Sequence, residues 1–344
     1  MQHVRRIFVI ADFKDDSPRS IQIQSRMWVK GLLRLGYDVQ RFSYRDVMLR
    51  SSFIPVKNFA VRFAKQKVDS LLIKQIKSYD PDIVLILGMK YLDANTITQI
   101  RQLPGKTIII GRDEDPSPER NRGRLEIAQK SDMVIATGAG RFLEAYKDAG
   151  VPQCAFIPNM CDPDIQYRYQ VDEKWKSDII FTGKPEHTKL EKNNERFTLT
   201  QRLSRYPSAR LFGFSGSPKI YGLDYFHAIS GAKIGVSINI VNDVELYHSD
   251  RLINYVACGT FTLAKRVPKS ELLFEDKKHL VYFDTIDEFF ELADWYLKHD
   301  NEREKIAVCG MEHAHQEFNC MRIVDLFMKI VETGSCKAAW MQVL

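Results

Sequence analysis

Short apolar runs alternate along the chain with longer segments whose apolar positions recur at helical spacing. Strand-like runs include RIFVIA (6–11), DIVLILG (82–88) and DMVIATG (132–138). Nearly continuous apolar runs of this kind are typical of strands buried on both faces of a parallel sheet. Amphipathic stretches such as 59–78 separate them. The alternation therefore predicts α/β units with parallel sheets.

The alternation stops near residue 160 and begins again after a polar, turn-rich stretch. We predict an N-terminal domain over 1–160, a linker over 161–177 and a C-terminal domain over 178–318. Both domains are expected to be doubly wound, Rossmann-like and separated by a cleft that they face. The 344 residues suffice for two domains of about 150 residues each. Since no Gly-x-Gly-x-x-Gly fingerprint is present, a dinucleotide-dependent dehydrogenase is disfavoured.

Ligands of open α/β sheets bind beyond the carboxyl ends of the strands. The loops expected at those ends in the first domain are Asp12–Asp16, Gly88–Lys90, Gly111–Asp115 and Gly138–Gly140. Those expected in the second domain are Gly183–His187, Gly213–Gly216, Asn239–Arg251 and Lys265–Lys269.

Composition narrows the class of protein further. Hydrophobic residues make up 44% of the chain, and no apolar run approaches the ~20 residues that cross a bilayer. The apolar run before Asp12 fits a first buried strand better than a signal peptide, so we predict a cytoplasmic protein.

The six cysteines are scattered and are expected to be reduced. The spacing of Cys309, His313, His315 and Cys320 matches no standard zinc site, and no metal is predicted there.

The formal charge of +6 is unevenly distributed. Between Arg41 and Lys77 there are nine basic and two acidic residues, a net charge of +7. This segment is either a solvated helix surface or a surface that meets anionic lipid or an anionic acceptor at the inner face of the membrane. Nucleic acid is a poorer partner, because no nucleic-acid-binding motif accompanies the charge.

The stretch HSDRLINYVACG (248–259) predicts a helix with a polar start. Ser249 or Asp250 is a suitable N-cap, and Gly259 ends the helix. Its apolar face is formed by Leu252, Ile253, Val256 and Ala257. A helix N-terminus at a strand exit favours phosphate, and Arg251 would add a charge-assisted contact. The alternative is that Asp250 only caps the helix while Arg251 pairs with it on the surface.

From about Asn239 to Thr333 the chain resembles the C-terminal region of the GT-B glycosyltransferases called "glycosyl transferases group 1", closest to their spore-maturation (CgeB-like) branch. RLINYVACGTF resembles the family's Arg-x-x-Glu-x-x-Ala-Cys-Gly helix. KSELLFEDKKHLVYFDTIDEF and WYLKHDNEREKIAVCGMEHAHQEFNCMRIVDLF resemble the segments that follow it. The resemblance implies a nucleotide-sugar donor in the C-terminal domain and an acceptor in the N-terminal domain. It also implies that a C-terminal helix within 319–344 returns to the N-terminal domain.

The family helix places its glutamate on the donor ribose, and here that position is Asn254. The amide can bind hydroxyls but supplies no carboxylate. The Glu-x7-Glu pair of many retaining members is broken, because its first position is Leu246 and Glu245 lies one residue away. The FTGK turn resembles the glycine loop that approaches the donor pyrophosphate. The donor-binding residues expected are Gly183, Lys184, His187, Gly213, Tyr221, His248, Ser249, Asp250, Arg251 and Asn254.

An inverting transferase needs a base that deprotonates the acceptor hydroxyl, usually a carboxylate or a histidine. The first domain offers only His3, at its start, so a carboxylate is the better candidate. We favour Asp113 or Asp115, at a strand exit, over Asp15 or Asp16; the alternative is a charged loop that caps the following helix. No Asp-x-Asp motif appears, and we expect metal-independent chemistry with no cofactor besides the donor.

The sequence thus predicts a glycosyltransferase that moves a sugar from a nucleotide-diphospho-sugar to a hydroxyl acceptor, for example an envelope or lipid-linked glycan. Three alternatives stay open: a nucleotide-sugar epimerase of the same fold, a polyol-phosphate transferase, and a non-enzymatic coat or scaffold protein.

Overall fold

The computed structural model describes residues 5–52, 57–89, 92–115, 122–183, 194–214 and 217–344. They form two compact units. The first comprises the chain up to Ile157 together with Ile323–Leu344, and the second comprises Pro158–Arg322.

The first unit contains a parallel sheet of six strands in the order β2-β1-β3-β4-β5-β6. The strands are β1 (Arg6–Ala11), β2 (Asp38–Ser43), β3 (Ile83–Leu87), β4 (Ile108–Asp113), β5 (Met133–Ala136) and β6 (Gln153–Phe156). All five residues of β3 are buried, as its continuous apolar sequence predicts. The strand order reverses between β1 and β3, which makes their carboxyl ends the switch point of this sheet.

Six helices of the first unit connect these strands: α1 (Gln24–Arg34), α2 (Tyr44–Arg50), α3 (Lys57–Tyr79), α4 (Ala94–Arg101), α5 (Arg122–Ala128) and α6 (Arg141–Asp148). Local sequence sets their bounds. The side chain of Asp93 caps α4 by accepting a hydrogen bond from the Thr96 amide, at 2.9 Å. Gly36, at φ 87°, follows α1, where the left-handed conformation ends a helix.

The second unit contains a parallel sheet of five strands in the order β11-β10-β9-β7-β8. The strands are β7 (Ser177–Thr182), β8 (Ala209–Phe212), β9 (Ala232–Ser237), β10 (Phe261–Lys265) and β11 (Val281–Phe283). The helices are α7 (Glu195–Leu203), α8 (Leu223–Ser230), α9 (Asp250–Ala257), α10 (Ile286–Lys298), α11 (Asp300–Glu317) and α12 (Cys320–Thr333), whose residues from Ile323 onward belong to the first unit. The switch point here lies between β7 and β9.

Residues 323–344 complete the first unit. The Phe327 ring packs against Trp28, with ring centroids 5.0 Å apart. Leu344 and Cys154 exchange backbone hydrogen bonds of 2.8 and 3.0 Å, which adds an antiparallel segment beside β6.

The prediction of two α/β units with parallel, Rossmann-like sheets is confirmed. No helix of the described residues is both long enough and apolar enough to span a bilayer. In the same residues no group of three or more His, Cys, Asp or Glu side chains is placed to hold a metal ion.

Candidate functional site

The Arg251 guanidinium lies at the switch point of the second sheet. Its Nε donates to the carbonyl oxygen of Thr182, at the end of β7, at 2.6 Å. Its Nη1 donates to the carbonyl oxygen of Ile238, just beyond β9, at 2.9 Å. The side chain is therefore fixed between the carboxyl ends of the two strands where the sheet order reverses, the position at which such sheets bind ligands.

Arg251 is buried without a carboxylate partner among the described residues; it is 9% exposed. Burial lowers the pKa of Arg251, and the nearby Arg196 guanidinium lowers it as well. The Arg251 guanidinium carbon lies 4.4 Å from the centre of the Phe181 ring. Burying a cation without a counter-charge is costly, so this site favours an anion.

Arg196 is a second buried cation near this site, and the sequence analysis missed it. It lies in the first turn of α7. The sequence signal for Arg196 is its place in the first turn of α7, the helix that follows the glycine turn at Gly183. Several charged residues surround Arg196 in the sequence, so the local pattern does not distinguish it from a surface arginine.

Gly183 and Gly213 allow the ends of β7 and β8 to approach each other. Gly213 has φ 86°, and a methyl group added to it would lie 2.3 Å from the Gly183 carbonyl oxygen. A methyl group on Gly183 would come within 3.3 Å of Arg251 Nη2. The structure thus brings both predicted glycines together beside the guanidinium, and any larger residue would narrow this space.

The start of α9 is fixed by the loop before it. Asn239 accepts a hydrogen bond from the Ser249 amide at 3.1 Å and donates one to the Tyr247 carbonyl at 3.2 Å. Ser249 occupies the N-cap position with extended backbone, yet its side chain caps no amide and its Oγ is buried without a hydrogen-bond partner among the described residues. Asp250 is exposed, and the surface ion pair between Asp250 and Arg251 does not form because Arg251 is buried.

His248 faces the interior of the second unit. Its Nε2 is buried without a hydrogen-bond partner among the described residues, and its ring lies 6.3 Å from that of Phe274. The ring borders a cavity of about 10 Å³, room for about one water molecule, together with Ser270 and Tyr282. Burial lowers the pKa of His248 to about 4, so the imidazole is neutral near pH 7.

The Asn254 side chain is held by two partners, of which Gln166 is buried and Tyr225 is half-buried. Its Oδ1 accepts a hydrogen bond from Gln166 Nε2, and its Nδ2 donates to the Tyr225 hydroxyl at 3.3 Å. Gln166 is fully buried and also accepts from the Asp162 amide. The amide that replaces the family's glutamate is thus part of an internal hydrogen-bond network.

The first position of the broken glutamate pair is also internal. Leu246 is fully buried, with φ 58°, and its amide donates to the Pro268 carbonyl at 2.9 Å. Glu245 forms an ion pair of 2.7 Å with Lys269. Tyr221 is half-buried ahead of α8, whereas Lys184 and His187 lie outside the described residues.

In the first unit, Asp113 lies at the end of β4 in a buried network. Its Oδ1 accepts from Arg124 Nη1 at 3.0 Å and from the Asp115 amide at 3.1 Å, and its Oδ2 accepts from the Tyr146 hydroxyl. Burial raises the pKa of the Asp113 carboxyl, and Arg124 opposes that effect. The Asp115 side chain is 50% exposed and bonds to the same Arg124. The structure therefore brings the two predicted carboxylates together, on one arginine.

Residues 187–329 match the "Glycosyl transferase-like" family model. This confirms the resemblance to the group 1 glycosyltransferases over that segment. No curated protein matches the sequence.

Solved structures match nearly the whole chain. Anabaena HepE in complex with UDP and glucose shares 11% identity over 96% of this chain and 100% of that one, with a TM-score of 0.60. Sucrose-phosphate synthase from Thermosynechococcus elongatus shares 13% over 95% and 98%, with a TM-score of 0.66. A protein named as a UDP-N-acetylglucosamine 2-epimerase from Listeria monocytogenes shares 9% over 96% and 97%, with a TM-score of 0.54. These likenesses establish the fold, which is GT-B.

Proposed function

We propose that this chain is a glycosyltransferase that moves a sugar from a nucleotide-diphospho-sugar to a hydroxyl acceptor. The second unit binds the donor and the first unit binds the acceptor. The observation that carries the proposal is Arg251, a buried cation without a carboxylate partner among the described residues, held at the switch point of the second sheet. A diphosphate supplies the missing negative charge. The complex of Anabaena HepE, a protein with this fold, with UDP-glucose supports the donor class.

The residues around Arg251 suit a leaving diphosphate. Gly183 and Gly213 leave room for the phosphates, and the N-terminus of α9 contributes amide groups and the positive end of its dipole. These groups stabilise the negative charge that develops as the bond between the sugar and the diphosphate breaks. The chemistry proposed is therefore independent of a metal ion. Lys184 and His187 stay predictions for the same site.

The sequence predicts that Asn254 and His248 contact the donor. Their surroundings in the structure favour other roles. The side-chain oxygen and nitrogen of Asn254 are hydrogen-bonded to Gln166 and Tyr225. We propose that Asn254 shapes the pocket wall through that network. His248 is neutral and internal, so we propose that it supports the start of α9 and carries no charge for the phosphates.

Nucleotide binding gives the direct test of this proposal. In a thermal-shift panel of UDP, GDP, CMP and dTDP sugars, we expect at least one to raise the melting temperature, by an amount that corresponds to about 2.7 kcal/mol at 100 times its Kd. Added EDTA should leave that shift unchanged. If no member of the panel shifts the melting temperature, the proposal is wrong and a coat or scaffold role is favoured.

An epimerase is the second candidate, because the same fold includes the Listeria protein. Incubating the donor alone separates the two activities. An epimerase converts the donor without an acceptor, whereas a transferase hydrolyses it slowly at most. A polyol-phosphate transferase would release a nucleoside monophosphate in place of a diphosphate.

A peripheral contact with an anionic membrane is proposed for α3. The basic segment 41–77 contains both ion-paired cations and exposed lysines without an ion pair among the described residues. The ion pairs are Arg41 with Asp15, Arg45 with Asp46, Arg50 with Asp16, and Lys65 with Asp69 and Asp93. The α3 surface, defined as Phe63, Lys67, Leu71, Lys74 and Lys77, is exposed. Its three lysines have no ion pair among the described residues.

The α3 surface combines apolar and basic side chains in the manner of interfacial helices. Phe63 is 67% and Leu71 40% exposed. The opposite face of the helix is buried through Ala64, Val68, Leu72 and Ile76. Such a surface would bring the enzyme to a lipid-linked or envelope glycan acceptor.

Vesicle flotation tests this contact. We expect the protein to float with vesicles that contain phosphatidylglycerol and not with pure phosphatidylcholine. Each lysine near an anionic surface contributes about 1 kcal/mol, so the double variant Lys67→Glu, Lys74→Glu should weaken binding at least tenfold. The matched control is the double variant Lys106→Glu, Lys130→Glu, which changes exposed lysines elsewhere on the first unit. Equal loss in the control, or flotation independent of anionic lipid, contradicts a role of α3.

A further inference from the structure

A cavity of about 210 Å³ opens at the amino edge of the second sheet. It lies beside Ala232 and Phe261, the first residues of β9 and β10, whereas Arg251 lies at the carboxyl ends of the strands. The cavity is many times larger than the ~10–15 Å³ that holds one water molecule. We call it the amino-edge cavity. It is separate from the proposed donor site, because α9 runs from one edge of the sheet to the other.

Three cations line the amino-edge cavity: Arg168, Lys233 and Arg303. Glu304 is the one carboxylate among the described residues that line it. A hydrogen bond from Lys233 lowers the pKa of Asp178, and Arg303 contributes to the same effect, so these two cations lie close together. The surplus of positive charge around the cavity favours an anionic ligand.

Arg303 offers unused donors to this cavity. Its Nη1 donates to the Tyr296 carbonyl at 2.5 Å and pairs with Asp300 at 2.7 Å, which fixes the guanidinium. The side chain is 12% exposed, and its Nε and Nη2 have no hydrogen-bond partner among the described residues. A guanidinium that is held through one nitrogen keeps its remaining donors, in their planar arrangement, for a phosphate or carboxylate.

The carbonyl groups beside the cavity are already occupied, which disfavours a cation as the ligand. The Gly259 carbonyl, just beyond α9, accepts a hydrogen bond from Arg168 Nε at 3.1 Å. The Gly231 carbonyl, just beyond α8, accepts one from the Ser177 amide at 3.2 Å. A ligand in the cavity therefore meets the donors of the basic side chains rather than free carbonyl oxygens.

We propose that the amino-edge cavity binds the phosphate group of a small phosphorylated metabolite. Arg303 and Lys233 donate to the phosphate oxygens, and Arg168 adds positive charge. Phe261 and Ala307 line the cavity with apolar surface, against which the carbon skeleton of the ligand packs. This site lies at the opposite edge of the sheet from the donor site, so both can be occupied at once. Binding there does not require the proposed transfer activity.

Glu304 competes with such a ligand for the cations. It pairs with Arg168, and its side chain is 57% exposed. An exposed ion pair of this kind contributes little to stability, so the carboxylate can move aside for a phosphate. Removal of the Glu304 charge should therefore strengthen phosphate binding, an effect that a purely structural role of this residue would not produce.

Titration of the full chain with inorganic phosphate and with glucose 6-phosphate, followed by ³¹P NMR, tests the site. We expect glucose 6-phosphate to bind more tightly than phosphate, and uncharged glucose to show no binding by isothermal titration. Arg303→Gln should weaken binding about tenfold or more, because charged hydrogen bonds are lost. Glu304→Gln should strengthen it about threefold. The matched control is Glu302→Gln, an exposed carboxylate of α11 that does not line the cavity, and its affinity should stay unchanged.

Lys233→Gln decides if Arg303→Gln does not fold, because the Lys233 side chain is 49% exposed and its loss should weaken binding without unfolding the protein. Three results overturn the proposal: no binding of either phosphate, binding that the Lys233 and Arg303 variants retain, or binding that saturating UDP abolishes. Phosphate binding that is lost in Arg251→Lys and kept in Arg303→Gln also overturns it, because the phosphate then occupies the donor site. The nucleotide panel tests the proposed function separately, so the two failures are distinguishable.

Discussion

Arg251→Lys is expected to weaken the binding of a nucleoside diphosphate by about 10- to 100-fold, because a lysine cannot bond two strand ends and a phosphate at once. The guanidinium donates to Thr182 and Ile238 through two nitrogens and directs Nη2 toward Gly183. A lysine would place one ammonium group among these acceptors. Isothermal titration with the nucleotide that gives the largest thermal shift measures the change.

The control is Arg202→Lys, an exposed arginine of α7 that pairs with Asp287. It should bind the nucleotide as the wild type does. Arg251→Lys should also melt a few degrees lower without ligand, since the buried carbonyls lose a donor. Unchanged affinity in a folded Arg251→Lys protein would show that the diphosphate lies elsewhere.

Asp113→Ala is expected to lower the stability of the first unit by about 3 to 5 kcal/mol, the usual cost of leaving one partner of a buried ion pair alone. The substitution leaves Arg124 and the Tyr146 hydroxyl without their shared acceptor. The melting temperature of this unit should fall by about 10 °C. Circular dichroism follows the transition, and transfer is measured well below it.

Asp115→Ala serves as the matched control, because the Asp115 carboxylate bonds to the same arginine from a half-exposed position. It should cost about 1 kcal/mol or less. Transfer that persists in folded Asp113→Ala protein would assign this carboxyl a structural role. A fully folded but inactive Asp113→Ala protein would favour Asp113 as the base.

Much of the architecture followed from sequence because buried parallel strands have an unmistakable pattern. The run DIVLILG became β3, and the helical spacing of 59–78 became α3, Lys57–Tyr79. HSDRLINYVACG became α9 with Ser249 at the N-cap position, although the predicted side-chain cap does not form. Such signals are local, since burial on both faces of a sheet forces nearly every strand residue to be apolar.

The roles of charged residues could not be obtained in this way, because they depend on partners distant in sequence. Arg251 bonds to residues 69 and 13 positions away, and nothing in its local pattern separates it from a surface arginine. Asp12 directly follows the apolar strand β1, and Asp113 is the last residue of the apolar strand β4. Only the packed structure shows that Arg124 and Tyr146 occupy one carboxylate while the other keeps an orphaned oxygen.

The first unit is discontinuous in sequence, and this has a consequence for synthesis. Residues 323–344 contribute the Phe327 ring that packs on Trp28 and the strand-like segment that bonds to Cys154. Residues 1–157 leave the ribosome long before these partners exist, whereas the second unit is complete once Arg322 has emerged. Domains usually fold as they emerge. In this chain the first unit cannot complete its packing until residues 323–344 have emerged, so one edge of its sheet and the Trp28 ring stay uncovered while the second unit is being made.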